Sequence, residues 1–313
     1  MDMQVIINQM IVLFILMAVG FIAGKAKILT REGNKILSKV VLFIALPCTV
    51  LSSVFENEAA VTIGDTVFFL LLSLIAFLIA FMISIPVIHI LGGDKSNRGM
   101  LNLLSVFSNC AFMGFPVVIA IYGVSSAYYV ALFNIPFNAL LFSLGIYMIS
   151  CKKAPDEDQH AGGFKLKSLI NPVIFAVLLA MPLAIIGIKP PDIIADALRI
   201  TGNITTPGAL FVIGASLAHV PLKSIFSEWR IIPVSLLKLI IIPIITWLIL
   251  RQIINDELML GVLVVISAMP TAAMASMLAV EYNGNERVAS AGVFLTTFLC
   301  GITIPLIVYL FLM

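Results

Sequence analysis

SNCAFMGFPV, residues 108–117, sets an Asn, a Gly and a Pro inside a run otherwise long and apolar enough to cross a membrane. Gly weakens a helix; Pro removes an N–H and clashes with the preceding turn, while suiting the first position of a new helix. A lipid-spanning helix gains nothing from Gly114 and Pro116 two residues apart. The stretch reads as a deliberate interruption, and a second one, SAMPTAAMASM at residues 267–277, lies in the other half of the chain.

Outward from these breaks the chain is uniformly greasy. Its 313 residues are 61% hydrophobic and 11% charged, with mean hydropathy +1.16. Soluble domains carry about a quarter charged residues, so the class is an all-α, multi-pass membrane protein. A span needs roughly 20 apolar residues. Ten candidates fit: 4–24, 34–54, 65–91, 99–122, 126–149, 171–187, 196–217, 230–250, 258–280 and 288–312. They use nearly the whole chain. The amino terminus lacks a basic n-region and its first basic residues, Lys25 and Lys27, follow the apolar run, which suits a retained first span rather than a signal peptide. The cysteines (Cys48, Cys110, Cys151 and Cys300) have neither metal nor disulfide spacing and read as free thiols.

Charge sorts by alternate loops. Fourteen Lys and Arg, from Lys25 to Arg287, fall at the loops after spans 1, 3, 5, 7 and 9, against Lys189, Arg199 and Arg251 opposite. Basic loops stay cytoplasmic, which puts both termini outside, in a cell (inner or plasma) membrane. The mixed-charge stretch 151–170 reads as a cytoplasmic linker between five-span halves, 1–150 and 171–313. Pro47 and Pro207 are 160 apart, as are Tyr122 and Tyr282. Two five-span units must be oppositely oriented, so the halves read as inverted repeats, a recurrent carrier plan with substrate near the midplane.

Spans 4 and 9 then each read as two half-helices, with Pro116 and Pro270 near the starts of the second halves. Unsatisfied backbone in hydrocarbon costs several kcal/mol per group, so such breaks persist where protein or a wet cavity covers them. Half-helix N-termini offer free N–H groups and partial positive charge, which favours an anion. The bland alternative is a pair of ordinary Pro kinks.

At these residues the chain resembles the auxin efflux carrier family over its whole length. The shared features are ALP at residues 45–47, Asn–x4–Gly–x–Pro in span 4, GASL at 214–217, and above all AMPTAAMASMLAVEYN at 268–283. The resemblance implies crossing, interrupted helices 4 and 9, elevator-type transport of organic acids, a homodimer, and a substrate role for Asn109. The long cytoplasmic loop of many plant members is short here, which argues against auxin itself and for a bacterial or archaeal relative.

Polar residues within spans supply the candidate site. Asn109, with Gly114 and Pro116, is the first choice; capping the freed backbone is its other role. GNITTPG (202–208) places Asn203 beside a Pro in span 7, and Thr271 follows Pro270. Lys238 sits deep in span 8, where a buried cation is a functional candidate, although its stem could snorkel to the boundary. Asn134 and Asn138 share a helical face and read as interhelical glue.

No Asp or Glu lies deep in any span, so no carboxylate proton relay is visible. The expectation is a secondary carrier of small organic anions, driven by membrane potential, with no cofactor, no metal and no nucleic-acid partner. Sodium held by carbonyls and hydroxyls stays open, so the alternative is a sodium- or proton-coupled symporter of bile acid symporter-like fold. Intramembrane proteases require paired deep aspartates or a His–Glu helix motif. Neither is present, so no enzyme is expected.

Overall fold

The computed structural model describes residues 3–55, 62–93, 95–150, 175–176, 178–179, 182–183, 190–218, 228–282 and 284–311. The expected linker and most of span 6 lie outside the described residues. Helix α1 (Met3–Lys25) precedes span 2, which runs as α2 (Arg31–Val40), a π-helical turn (Val41–Ala45) and α3 (Leu46–Phe55). Span 3 is α4 (Ile63–Leu91). Span 4 comprises α5 (Lys95–Val106), an extended crossing, a π-helical turn (Cys110–Gly114) and α6 (Phe115–Tyr122). Span 5 joins α7 (Ala127–Leu140) through a wide turn (Leu141–Gly145) to α8 (Ile146–Ser150). Later come α9 (Asp192–Gly202) and α10 (Thr205–Ala218) in span 7, then α11 (Ile231–Leu236), a π-helical turn (Leu237–Ile241) and α12 (Ile242–Leu250) in span 8. Helices α13 (Glu257–Ser267) and α14 (Met274–Glu281) cover the expected span 9, and α15 (Glu286–Phe311) the expected span 10.

Among the described residues six segments are long and apolar enough to cross a membrane: 31–52, 63–91, 124–149, 192–218, 231–250 and 286–311. The interrupted spans yield shorter apolar pieces, Cys110–Tyr122 and Glu257–Ser267. Helix starts follow local chemistry. Thr62 accepts from the Asp65 amide, and Asp256 accepts from the amides of Leu258 and Met259, satisfying N–H groups that the first turn leaves over. Ile22, Leu78, Met82 and Ile90 point outward and are mostly exposed, as expected of side chains whose solvent is lipid.

Packing divides the helices into two groups. In one, α1 lies along α10, and α9 against α3. Small residues permit this: a Cβ on Gly20 would stand 2.6 Å from the Phe211 Cα, and one on Gly214 would overlap the Met17 carbonyl oxygen. In the other, α4, α5, α7 and α8 pack together, while α5 and α11 both meet α15. Phe107, at the end of α5, sits edge-on to Phe81 and Phe137, and Phe77 stacks on Phe133 at 5.0 Å. Aromatic pairs of this kind contribute about 0.5–1.5 kcal/mol beyond burial and hold the broken end of α5 in place.

Candidate functional site

Both expected interruptions are present, and they meet. Ser108 and Thr271 form an antiparallel bridge, the one extended pairing among the described residues. The Asn109 amide donates to the Pro270 carbonyl at 2.7 Å, and the Ala272 amide donates to the Phe107 carbonyl at 2.9 Å. Pro270 brings an acceptor and no N–H, so it adds no orphan donor in a place without water. Side chains complete the accounting. Thr271 Oγ1 donates to the Leu104 carbonyl at 2.7 Å, and its amide donates to Thr296 Oγ1 at 3.2 Å.

The breaks fall earlier in sequence than Gly114 and Pro116 suggested. Residues 107–109 are the extended segment of span 4, and its second half begins at Cys110. Asn109 is the N-cap: Oδ1 accepts from the Phe112 amide at 3.3 Å, and its carbonyl accepts from Met113 and Gly114. Gly114 and Pro116 lie beyond this in a buried wall of the second half-helix, Pro116 in α6 just past the π-helical turn. Pro270 lies in the crossing itself, ahead of α14.

Lys238 does not snorkel. It is 1% exposed, and Nζ donates to Ser108 Oγ at 2.6 Å, in the middle of the crossing. The π-helical turn Leu237–Ile241 carries it there. An ammonium has three donors, and Ser108 is the protein acceptor it reaches among the described residues. Nearby, Cys110 Sγ donates to Asn134 Oδ1 at 3.2 Å, and Asn134 Nδ2 donates to the Val130 carbonyl, so Asn134 ties span 5 to the break as the glue reading expected. Asn138 donates to the Asn134 carbonyl within its own helix.

The crossing therefore gathers Ser108, Asn109, Pro270, Thr271 and Lys238. The half-helix beginning at Cys110 and the one beginning at Met274 both start there. The Ala273 and Met274 amides have no protein acceptor among the described residues. Partial positive charge at such N-termini adds to the ammonium, and no carboxylate side chain is bonded to either. Asn109 is 4% exposed and Thr271 fully buried, so the pair is closed off from solvent as it stands.

Asn203 does not join them. It ends α9 and lines a polar cavity of about 390 Å³ with Thr49, Ser52, Arg199, Thr205 and Thr206. Ile119 and Val124 form its apolar wall, which puts it at the end of the bundle where span 4 finishes. Ser108, Thr296 and Ser52 were missed in sequence, since lone hydroxyls in an apolar run carry no periodic signal.

A family model described as "Membrane transport protein" matches residues 5–163 and 159–308. The chain is 28% identical over 300 residues to "Uncharacterized transporter MJ1031" of Methanocaldococcus jannaschii, covering 93% of this chain and 94% of that one. It is 25% identical over 312 residues to "Uncharacterized transporter YfdV" of Escherichia coli (strain K12), covering 97% and 96%. A protein of Rhizobium meliloti named "Putative malonate transporter" is 25% identical over 215 residues, 67% of this chain and 66% of that one.

Proposed function

This chain belongs to the membrane transport protein family, and from that premise we propose that it is a secondary carrier of small organic anions, carboxylates above all. The observation that carries the proposal is the Lys238 ammonium, buried in mid-span and held on Ser108 where two broken helices cross. Keeping a cation out of water is costly unless a partner offsets it. A bound carboxylate supplies that partner, taking the remaining Nζ donors, the Asn109 side-chain Nδ2 and the α14 amides. The name of the Rhizobium relative is consistent with such a substrate class.

The movement proposed is an elevator. The crossing belongs to the packing group of α4, α5, α7, α8 and α11–α15, while α1–α3, α9 and α10 pack as the other group and α6 meets both. Sliding the first group against the second carries the crossing from one side of the membrane to the other without opening the backbone pairs that hold it. Two inverted five-helix repeats, ten spans in all, fit the antiparallel pairing of spans 4 and 9. The loop charge bias supports a topology with both termini outside a cell membrane. With the cytoplasm negative, export of one negative charge gains about 2.3 kcal/mol per 100 mV, so potential alone biases efflux more than tenfold.

Counterflow of labelled acetate, oxalate, malonate and succinate in proteoliposomes, under imposed potential and with or without sodium, tests this. Expected is counterflow of at least one carboxylate that follows the potential and ignores sodium. Counterflow that requires sodium replaces the uncoupled mechanism with a symport, and counterflow of none of the four refutes the substrate class.

A further inference from the structure

The cavity at the C-terminal end of span 4 is built around a break in span 7. Helix α9 ends at Gly202 and α10 starts at Thr205, and Thr49 of span 2 clamps the gap. Its hydroxyl lies 3.0 Å from the Gly202 carbonyl and 2.8 Å from Thr205 Oγ1. Those two hydroxyls are therefore spent on holding the walls. Ser52, one turn along α3, is different. It is 5% exposed, lines the same cavity, and its Oγ has no hydrogen-bond partner among the described residues. Burying a hydroxyl unpaired is unfavourable, and native proteins rarely leave one so unless a solute or water fills the place.

Around that orphan hydroxyl the lining is rich in donors. Asn203 and Thr206 make no side-chain hydrogen bond to protein among the described residues. Arg199 contributes a guanidinium whose Nη2 lies 2.7 Å from Asp196 Oδ1. Among the described residues no carboxylate lines the cavity itself, the nearest one placed being Asp196 on Arg199. The volume falls at the lower end of small-molecule sites. From these observations we infer that this cavity is a second binding site, separate from the crossing, for a small carboxylate held by Ser52, Asn203, Thr206 and the guanidinium of Arg199. The carboxylate joins the partners Arg199 already holds, Asp196 among them, on a planar fork with five N–H groups. Ile119 in the wall is ten residues along the half-helix from Asn109, about 15 Å at 1.5 Å per residue, so one small solute cannot occupy both places. The inference stands on this lining and not on the transport reading.

The test is thiol protection in detergent-solubilised protein. Cys48 and Cys151 are replaced by Ser, the fully buried Cys110 and Cys300 are kept, and Ser52→Cys or the half-buried Thr206→Cys is introduced. Modification by a thiol reagent is followed with acetate, oxalate, malonate or succinate, against the neutral malonamide. A carboxylate at about ten times its Kd slows modification about tenfold by occupancy, and malonamide does not. The same protection persists after Asn109→Ala. Absence of protection by all four carboxylates at both positions, or loss of it with Asn109→Ala, overturns the site. Protection without counterflow in proteoliposomes leaves this site standing and removes the transport reading alone.

Discussion

Replacing Lys238 by Met separates a binding role from a structural one. Met fills nearly the same volume with an unbranched stem, so the buried path from α11 to the crossing stays packed. Two effects on stability oppose each other. Ser108 Oγ loses its 2.6 Å donor, and an unpaired buried hydroxyl costs about 1–3 kcal/mol. Removing a buried charge that no carboxylate side chain neutralises returns a similar amount, about 1–4 kcal/mol by comparison with other buried ions replaced by apolar groups. The variant is therefore expected to melt close to the parent protein. Transport behaves otherwise. An ammonium and a carboxylate 4 Å apart attract by about 4 kcal/mol at an effective dielectric of 20. If desolvation of the solute takes back a quarter of that, about 3 kcal/mol remains, roughly a hundredfold in affinity. The assay is carboxylate counterflow in proteoliposomes beside thermal unfolding of the same preparation. Counterflow within threefold of the parent protein, with unfolding unchanged, would refute the assignment of Lys238 as a ligand. A variant that fails to fold would instead make Lys238 structural.

Asn109→Asp keeps the acceptor that caps Phe112, so unfolding stays near that of the parent, while the new negative charge beside the crossing abolishes anion counterflow; normal counterflow removes Asn109 from the site. Thr271→Val preserves the shape and the backbone bridge but leaves the Leu104 carbonyl unpaired, lowering stability by about 1–3 kcal/mol in chemical denaturation. An unchanged midpoint would mean that water or another donor replaces the hydroxyl. Gly214→Val drives a side chain into the Met17 carbonyl, so size-exclusion chromatography should lose the monodisperse peak. By contrast Gly123→Ala, at φ +84 with nothing within 4 Å, costs only about 1–3 kcal/mol of backbone strain and leaves the peak intact.

Much of this arrangement was legible from residue order. Apolar runs of the right length betray spans because lipid tolerates little else, and Gly114 with Pro116, like Pro270, betrays a break because these residues do not suit a continuous helix. What the order of residues hid is where each break begins. Span 4 opens at Phe107, seven residues before Gly114, because a partner strand rather than a helix breaker ends α5: the Ala272 amide claims the Phe107 carbonyl. Such a cause is distant in sequence and leaves no local trace. Lys238 was legible as an anomaly, but its direction was not. A long stem can reach either boundary or interior, and the hydroxyl that decides it belongs to a different span. Asn203 carried the same ambiguity: a polar residue beside a Pro marks a break, yet only packing says which break faces which cavity.

The pairing of spans 4 and 9 also sets a schedule for synthesis. Thr271 and the Leu104 carbonyl it serves are 167 residues apart, and the neighbouring amide of Asn109 waits equally long for Pro270. At about 5–20 residues per second, ribosomes need roughly ten to thirty seconds to supply the missing partner. Throughout that interval the first broken helix carries bare amide and carbonyl groups that hydrocarbon does not tolerate. The nascent segment must therefore linger beside water or an insertion factor until the later segment arrives, which makes the final third of the message a checkpoint for membrane assembly.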